Sequence, residues 1–283
     1  MLYIIIPVYN RIKYTTRCIE SILKQKISID YKIVIVDSGS SDNTVGVIKE
    51  RYCDIIIALG SSDMYWSAAI NLGFEKIKQS VSPEDFICFM NDDVQLKNNC
   101  LQIIYNQTDD TTICTALSQD ESGTVVASGS IVKSWIFARM FHPYRGLKAN
   151  LIKKDQNIDI DLFTARCVMF SAKLYLMCGG INDKKFPHYG GDDYYSILAK
   201  RRGWSIKLLT SARLIVSDNE PHPKSKNSIK RIIFTNFNIK SSINIIKVLN
   251  WSLWAPPFYA RPTHALMSIV KIIVVQIIRV LRV

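Results

Sequence analysis

The first ninety residues alternate short, unbroken apolar runs with segments of helical period, and this alternation restricts the fold more than any other feature. Leu2–Val8 (LYIIIPV), residues 31–36 (YKIVIV), residues 55–59 and Phe86–Met90 (FICFM) are rich in Ile, Val and Phe. Runs of that kind suit strands buried on both faces. Between them, residues 11–26 place Ile12, Thr16, Ile19, Ile22 and Leu23 at helical spacing, and residues 44–52 and 67–78 read as two further helices. Parallel strands can be joined only through a crossover, so this order predicts a mostly parallel sheet with helices on its faces. The fold class is therefore α/β and Rossmann-like, with ligands expected beyond the carboxyl ends of the strands.

The chain is less regular further on. Residues 112–117, 124–132, 163–170, 205–209 and 213–216 have strand character, residues 98–107 and 193–202 that of helices, and the polar, basic residues 142–157 that of a mobile loop. Pro, Lys and Ser cluster at 221–226, where the first domain is expected to end, giving a domain over 1–222 and a tail over 223–283. Charge supports that division. The formal net charge is +12, yet ten Lys and Arg and no acid fall in residues 221–283, which leaves 26 basic against 24 acidic residues before them. A nearly neutral domain with a basic tail argues against nucleic acid as the partner and for an anionic membrane surface.

Seven scattered cysteines without a C-x-x-C pair predict reduced thiols in a cytosolic setting and neither a disulfide framework nor a zinc site. Met1–Val8 lacks the basic start of a secretory signal, and no stretch of eighteen uncharged apolar residues suggests a conventional membrane span. Neither G-x-G-x-x-G nor G-x-x-x-x-G-K-[ST] occurs, so the dinucleotide-binding and P-loop readings lack their phosphate cradles.

Four small constellations could carry chemistry. Asn91-Asp92-Asp93 directly follows a strand, where two adjacent carboxylates suit a hard divalent cation or, alternatively, a turn and helix cap. Gly190-Gly191-Asp192-Asp193 places two carboxylates at a helix start, as caps or as a general base. Asp37, opening a loop of turn-forming residues, could accept a hydrogen bond from a nucleobase or cap the next helix. His222 stands between two prolines. Met64-Tyr65-Trp66 could stack on a sugar or base, or belong to the core.

Each signal is weak alone, but their order is specific. Ile4-Ile5-Ile6-Pro7-Val8-Tyr9-Asn10-Arg11, Val36-Asp37-Ser38-Gly39-Ser40-Ser41-Asp42, Asn71-Leu72-Gly73, Asn91-Asp92-Asp93-Val94, Gly179-Gly180-Ile181-Asn182-Asp183 and Gly191-Asp192-Asp193 follow one another along the chain. This succession resembles the family 2 glycosyltransferases of the GT-A fold, over about residues 2–222. The resemblance implies a nucleoside-diphosphate-sugar donor (UDP or dTDP) bound by Pro7, Tyr9, Asn10, Asp37, Ser38, Trp66, Asn71, Asn91 and Asp92. It implies Mn²⁺ or Mg²⁺ held by Asp93, with His222 nearby. Asp193, or Asp192 where the family has Glu, would be the base of an inverting transfer to a glycan hydroxyl. Asn91 departs from the family's usual Asp.

In the tail, Ser268, Lys271, Gln276, Arg279 and Arg282 fall within an arc of about 140° on a helical wheel. The result is a basic amphipathic helix, with Trp251, Trp254, Phe258 and Tyr259 as aromatic anchors beside it. A protein peripheral to the inner face of the cell membrane, extending a lipid-linked O-antigen, capsule or similar polysaccharide, is the expectation. The alternatives are a tail packed on the domain or in a homo-oligomer, a catalytically impaired membrane-bound scaffold, and a sugar-nucleotide-forming nucleotidyltransferase.

Overall fold

The computed structural model describes residues 1–217, 236–239, 241 and 243–281. The predicted alternation is present as β1 (Leu2–Val8), α1 (Ile12–Leu23), β2 (Tyr31–Asp37), α2 (Thr44–Arg51), β3 (Ile56–Leu59), α3 (Trp66–Ile77) and β4 (Phe86–Met90). There follow β5 (Val94–Leu96), α4 (Cys100–Gln107), β6 (Thr112–Gln119), β7 (Val125–Ala127), β8 (Ile131–Ser134) and β9 (Arg139–Phe141). The domain continues through β10 (Asn157–Asp159), β11 (Cys167–Ser171), α5 (Ala172–Cys178), α6 (Gly191–Arg201) and β12 (Ser205–Val216). One sheet runs β10-β12-β6-β11-β4-β1-β2-β3, with β5 beside β12 and β7 beside β6; β8 and β9 form a separate hairpin.

The strands β4, β1, β2 and β3 are parallel to one another, and so are β6 and β12. β11 runs antiparallel between the two groups. Period-two alternation divides the core between the two faces of the sheet. Tyr3 and Ile5 of β1 join Ile70 and Phe74 of α3 on one side. Leu2, Ile4, Ile6 and Val8 meet Cys18, Ile19 and Ile22 of α1 on the other. All but two of the seven cysteines are buried, and all are free thiols.

Three expectations are corrected. Residues 205–216 are one strand with an irregularity between Leu209 and Arg213, not two strands. Strand β11 begins at Cys167 and not at Phe163, and α5 follows it unpredicted. Residues 142–157 contain a 3₁₀ turn at Ala149–Leu151 with Ala149 and Ile152 buried, so part of that loop is packed.

The C-terminal segment contributes α7 (Ile245–Trp254) and α8 (Arg261–Leu281). α7 lies against the domain. Arg201 Nη2 donates to the carbonyls of Trp254 (2.8 Å) and Ala255 (3.1 Å) at its C-terminal end, and the Arg201 guanidinium sits 4.4 Å from the centre of a Trp254 ring. Ring contacts join Trp251 to Phe186 and Trp254 to Tyr194. On α8, buried His264 meets Ser252 of α7 at 2.9 Å, and Lys271 donates to the carbonyls of Phe137 and Ala138 beside β9. Burial lowers the His264 imidazole to about 4. The opposite face of α8 is apolar and bare: Leu266 is 62% exposed and Ile273 50%. Phe258–Gln276 is, among the described residues, one helix long and apolar enough to cross a membrane by length and composition, with 11% of it buried.

Candidate active site

Parallel register brings the carboxyl ends of β1, β2 and β4 to one edge of the sheet. The antiparallel β11 delivers its opposite end, preceded by Thr164-Ala165-Arg166, to the same edge. The Asn91 N–H and the Arg166 carbonyl meet there at 3.4 Å. A cleft of about 780 Å³ opens at this edge, with the loops after β1 and β4, the start of α3, the start of α6 and one face of α7 around it. Of the sequence-predicted residues, Pro7, Tyr9, Ser38, Trp66, Asn91, Asp92, Asp93, Asp192 and Asp193 line it.

The two carboxylates after β4 are nearly buried and share one cation. Arg11 Nη1 lies 3.0 Å from Asp92 Oδ1, and Arg11 Nη2 lies 3.7 Å from Asp93 Oδ2. Burial lifts the Asp92 carboxyl to about 7 even though Arg11 pulls it down, and the neighbouring Asp93 charge adds to the rise. Asp93 Oδ1 is buried and accepts no hydrogen bond. An ionised oxygen in that state needs a cation or donor from outside the chain. Divalent Mg²⁺ or Mn²⁺ held by one carboxylate, substrate phosphates and water fits that single open oxygen. No group of three or more His, Cys, Asp or Glu suited to a metal occurs among the described residues, and His222 lies outside them. Asn91 spends its side-chain oxygen on the Trp66 indole N–H at 3.1 Å, which fixes the loop after β4 to the start of α3.

The second pair of carboxylates sits in the first turn of α6. Gly190 precedes it with φ +83°, a left-handed conformation that favours glycine. A Cβ at Gly191 would stand 2.3 Å from Ser67 Oγ and 3.2 Å from Trp66 Cζ3, so only glycine lets α6 approach α3 this closely. Asp192 turns back on the backbone: its Oδ1 accepts from the Asp193 N–H at 3.0 Å, and the Ala165 N–H also stabilises it. That carboxylate is occupied as a cap. Burial first, and then the Asp192 charge, lift the Asp193 carboxyl, while Lys247 of α7 opposes the rise. Both carboxylates line the cleft, and Asp192 alone of the two also accepts from the backbone of the first turn.

Three predicted ligands are not among the residues that line the cleft, although Asp37 directly precedes Ser38, which does. Asn71 gives its amide to Ile181, donating to the carbonyl at 2.8 Å and accepting from the N–H at 2.9 Å. It clamps α3 to residues 180–181 and is not brought into the cleft. Asn10, with φ +52°, accepts from the Ser41 N–H at 2.7 Å and so fixes the loop after β2. Asp37 uses Oδ2 on the Gly39 and Ser40 N–H groups, at 3.0 and 2.9 Å, and leaves Oδ1 buried without a partner. That orphan acceptor suits an N–H of a nucleobase.

The sequence reading missed several residues of the cleft. Arg166 lines it with a buried Nη1 that makes no hydrogen bond, and burial lowers its guanidinium while Asp93 and Asp192 oppose this. His142, Arg145 and His188 also line the cleft, as do Lys247 and Trp251 from the segment read as a basic tail. A second cavity of about 240 Å³ lies beside it between α7, α8 and Met140 of β9, and the two share Asp193, Lys247 and Trp251.

Comparison with known proteins adds an independent finding. A family model described as glycosyl transferase family 2 matches residues 3–172. Glycosyltransferase GlyG of Streptococcus pneumoniae is 30% identical over 111 residues, 38% of this chain and 35% of that protein. The minor teichoic acid biosynthesis protein GgaA of Bacillus subtilis is 31% identical over 111 residues, 38% of this chain and 24% of that protein. The chain thus matches about a third or less of the length of these curated relatives. Among solved structures, GalNAc-T7 with UDP, GalNAc and Mn²⁺ superposes with a TM-score of 0.61 at 13% identity, over 93% of this chain and 54% of that one.

Proposed function

The chain belongs to glycosyl transferase family 2 and has the GT-A fold, and on that premise we propose that it is an inverting, metal-dependent glycosyltransferase. It would move a sugar from a UDP- or dTDP-sugar to a hydroxyl of a bacterial surface-polysaccharide glycan, carried on a lipid. The observation that carries the reading is one cleft walled by both carboxylate pairs, Asp92 and Asp93 on one side and Asp192 and Asp193 on another.

The residues divide the work as follows. Asp37 accepts from the base through its orphan Oδ1, and Ser38 and Tyr9 border the nucleoside. Asp93 Oδ1 would hold the divalent cation, which would supply charge stabilisation to the departing diphosphate. Arg166 offers its unpartnered Nη1 to the same anionic region. Asp193 removes the proton of the acceptor hydroxyl as that oxygen attacks the anomeric carbon. The bond to the nucleoside diphosphate breaks, and a single displacement inverts the centre. Asp192 holds the start of α6 so that Asp193 is presented to the cleft.

Membrane association rests on α8 rather than on charge. The basic side chains described in the segment, Lys247, Arg261 and Lys271, are all engaged with the protein itself. What is left outward is the apolar face of Leu266, Val270, Ile273 and Val274, with Phe258 83% and Tyr259 73% exposed beside it. A helix that turns its polar face to the protein and its apolar face outward needs an apolar surrounding, and a bilayer interface supplies one.

The test is nucleoside diphosphate release from a panel of UDP- and dTDP-sugars with Mn²⁺. Asp193→Asn is expected to lower turnover by about 10²–10⁴-fold while keeping donor-induced thermal stabilisation. Unchanged turnover in both Asp93→Ala and Asp193→Ala overturns the assigned roles.

A further inference from the structure

The C-terminal segment does more than lie beside the catalytic domain. Helix α7 enters the cleft with Lys247, the one cation on α7 (IIKVLNWSLW), and places it beside the first turn of α6. Its position is built by several contacts. The Lys247 stem runs along Gly190, whose absent Cβ would stand 3.7 Å from Lys247 Cδ and 3.9 Å from Cγ. The Lys247 ammonium lies 5.9 Å from the centre of the Tyr189 ring. Asn244 caps the helix by accepting from the Lys247 N–H at 2.9 Å, and Asn250 Nδ2 donates to the Lys185 carbonyl at 3.4 Å. At the far end Arg201 holds the Trp254 carbonyl. Residues before α6, on α6 and at both ends of α7 therefore fix this helix, and Gly190 and Tyr189 border its one cationic side chain.

We propose that Lys247 is a positioning residue for the proposed base: its ammonium favours and orients the charged Asp193 carboxylate at the junction of the two cavities, so that α7 is part of the catalytic centre. The proposal rests on the assignment of Asp193 as base. Two adjacent carboxylates in a partly buried turn repel one another, and without a nearby cation one of them takes up a proton. Asp192 is stabilised by backbone N–H groups, while no such bond supports Asp193. The charged and titratable groups that line the two cavities with Asp193 are Asp192 on its own helix, Lys247 on α7, His264 and Lys271 on α8, His188 and Tyr189 in the preceding loop, Tyr9, Tyr65, His142 and Arg145, and Arg11, Asp92, Asp93 and Arg166 on the cleft wall. Among these cations, Arg166 acts on Asp93 and Asp192, whereas Lys247 acts first on Asp193 and then on Asp192. Burial draws the Lys247 ammonium below its usual range, and those two carboxylates hold it up.

Carboxyl titration by NMR on ¹³C-aspartate-labelled full-length protein tests the coupling without any donor or acceptor, with Asp193→Asn identifying the resonance. In Lys247→Met the Asp193 midpoint is expected to rise by about one unit or more, while Lys247→Arg keeps it near the wild-type value. The Asp92 titration serves as the internal control and stays in place. The reciprocal measurement uses ¹³C-lysine: in Asp193→Asn the Lys247 midpoint falls further, because linkage between two sites acts equally in both directions. This second arm keeps the pair testable even where Lys247→Met disturbs α7, which the fluorescence of Trp251 and Trp254 reports. Once a donor from the panel turns over, the rising limb of its pH–rate profile moves to higher pH in Lys247→Met and returns in Lys247→Arg. An unmoved Asp193 midpoint with α7 docked, or an unmoved Lys247 midpoint in Asp193→Asn, overturns the proposal. Coupled titrations with no active donor in the panel would instead count against the function proposed above and leave the pair intact.

Discussion

Replacing Arg11 with methionine removes the one cation paired with both Asp92 and Asp93, and the consequence depends on pH in a way the geometry fixes. Arg11 stands 3.0 Å from Asp92 and 3.7 Å from Asp93, and it is a main reason that Asp92 stops at about 7. Its loss lifts Asp92 by about two further units, the usual effect of a close opposite charge. The sign follows from proton binding. Because the folded-state value lies above the unfolded one, Asp92 costs stability as pH rises from the ordinary carboxylate range towards 7, and above 7 the full cost is present. At about pH 5.5 the carboxyl is protonated in both proteins and the substitution carries no pH-linked penalty. Between the two folded values the penalty grows by about 1.4 kcal/mol per pH unit, so at about pH 8 the variant loses roughly 1.4 kcal/mol more than it does at about pH 5.5. Urea unfolding of both proteins at the two pH values, without added metal, measures the difference. Adding Asp92→Asn to the variant should erase most of it. An equal destabilisation at both pH values refutes the argument, since the Arg11–Asp92 pair would then carry no proton linkage.

Other outcomes follow from the same contacts. Gly191→Ala forces a Cβ to within 2.3 Å of Ser67 Oγ and should cost about 1–3 kcal/mol of overpacking, read as a lowered Tm, with turnover falling as the first turn of α6 is displaced. Asp37→Ala removes the buried acceptor at the end of β2, and about 1–3 kcal/mol of donor binding should go with it, measured by calorimetry with the nucleoside diphosphate alone. Serine at Leu266, Ile273 and Val274 should abolish sedimentation with anionic liposomes without moving the melting curve, because these side chains are already exposed. If wild-type protein stays in the supernatant and forms dimers that the triple substitution breaks, the α8 face serves a second copy and not a bilayer. With Asp193 as base, activity should rise with pH as its carboxyl, lifted by burial and by Asp192, gives up its proton.

The first half of the fold was legible because each signal there is local. A strand buried on both faces is a continuous apolar run whatever its neighbours are, and the helices between such runs carry their own period. The carboxylate pairs were legible for the same reason, since each is adjacent in sequence and follows a strand or opens a helix. The missed residues have no local mark. Arg166 reaches the cleft only because β11 is antiparallel to β4, and apolar periodicity carries no information about strand direction. Arg11 is three residues past the motif strand, yet its partner Asp92 is brought to it by the parallel register of β1 with β4.

The tail shows the limit of reading charge as a total. Ten basic residues without an acid pointed to an anionic surface, but Lys247 faces carboxylates of the cleft and Lys271 faces backbone carbonyls beside β9. Among the described residues, the wheel of α8 separates a polar face with Ser268 and Lys271 from an apolar one with Leu266 and Ile273. It cannot tell which face meets the protein, and a helix on a soluble domain would ordinarily bury the apolar one. Here His264 is buried against α7 while Leu266 and Ile273 look outward. That inversion links the two ends of the segment physically. The polar face of α8 and the cation of α7 meet at the 240 Å³ cavity, which His264, Ser268 and Lys271 line together with Lys247 and Asp193.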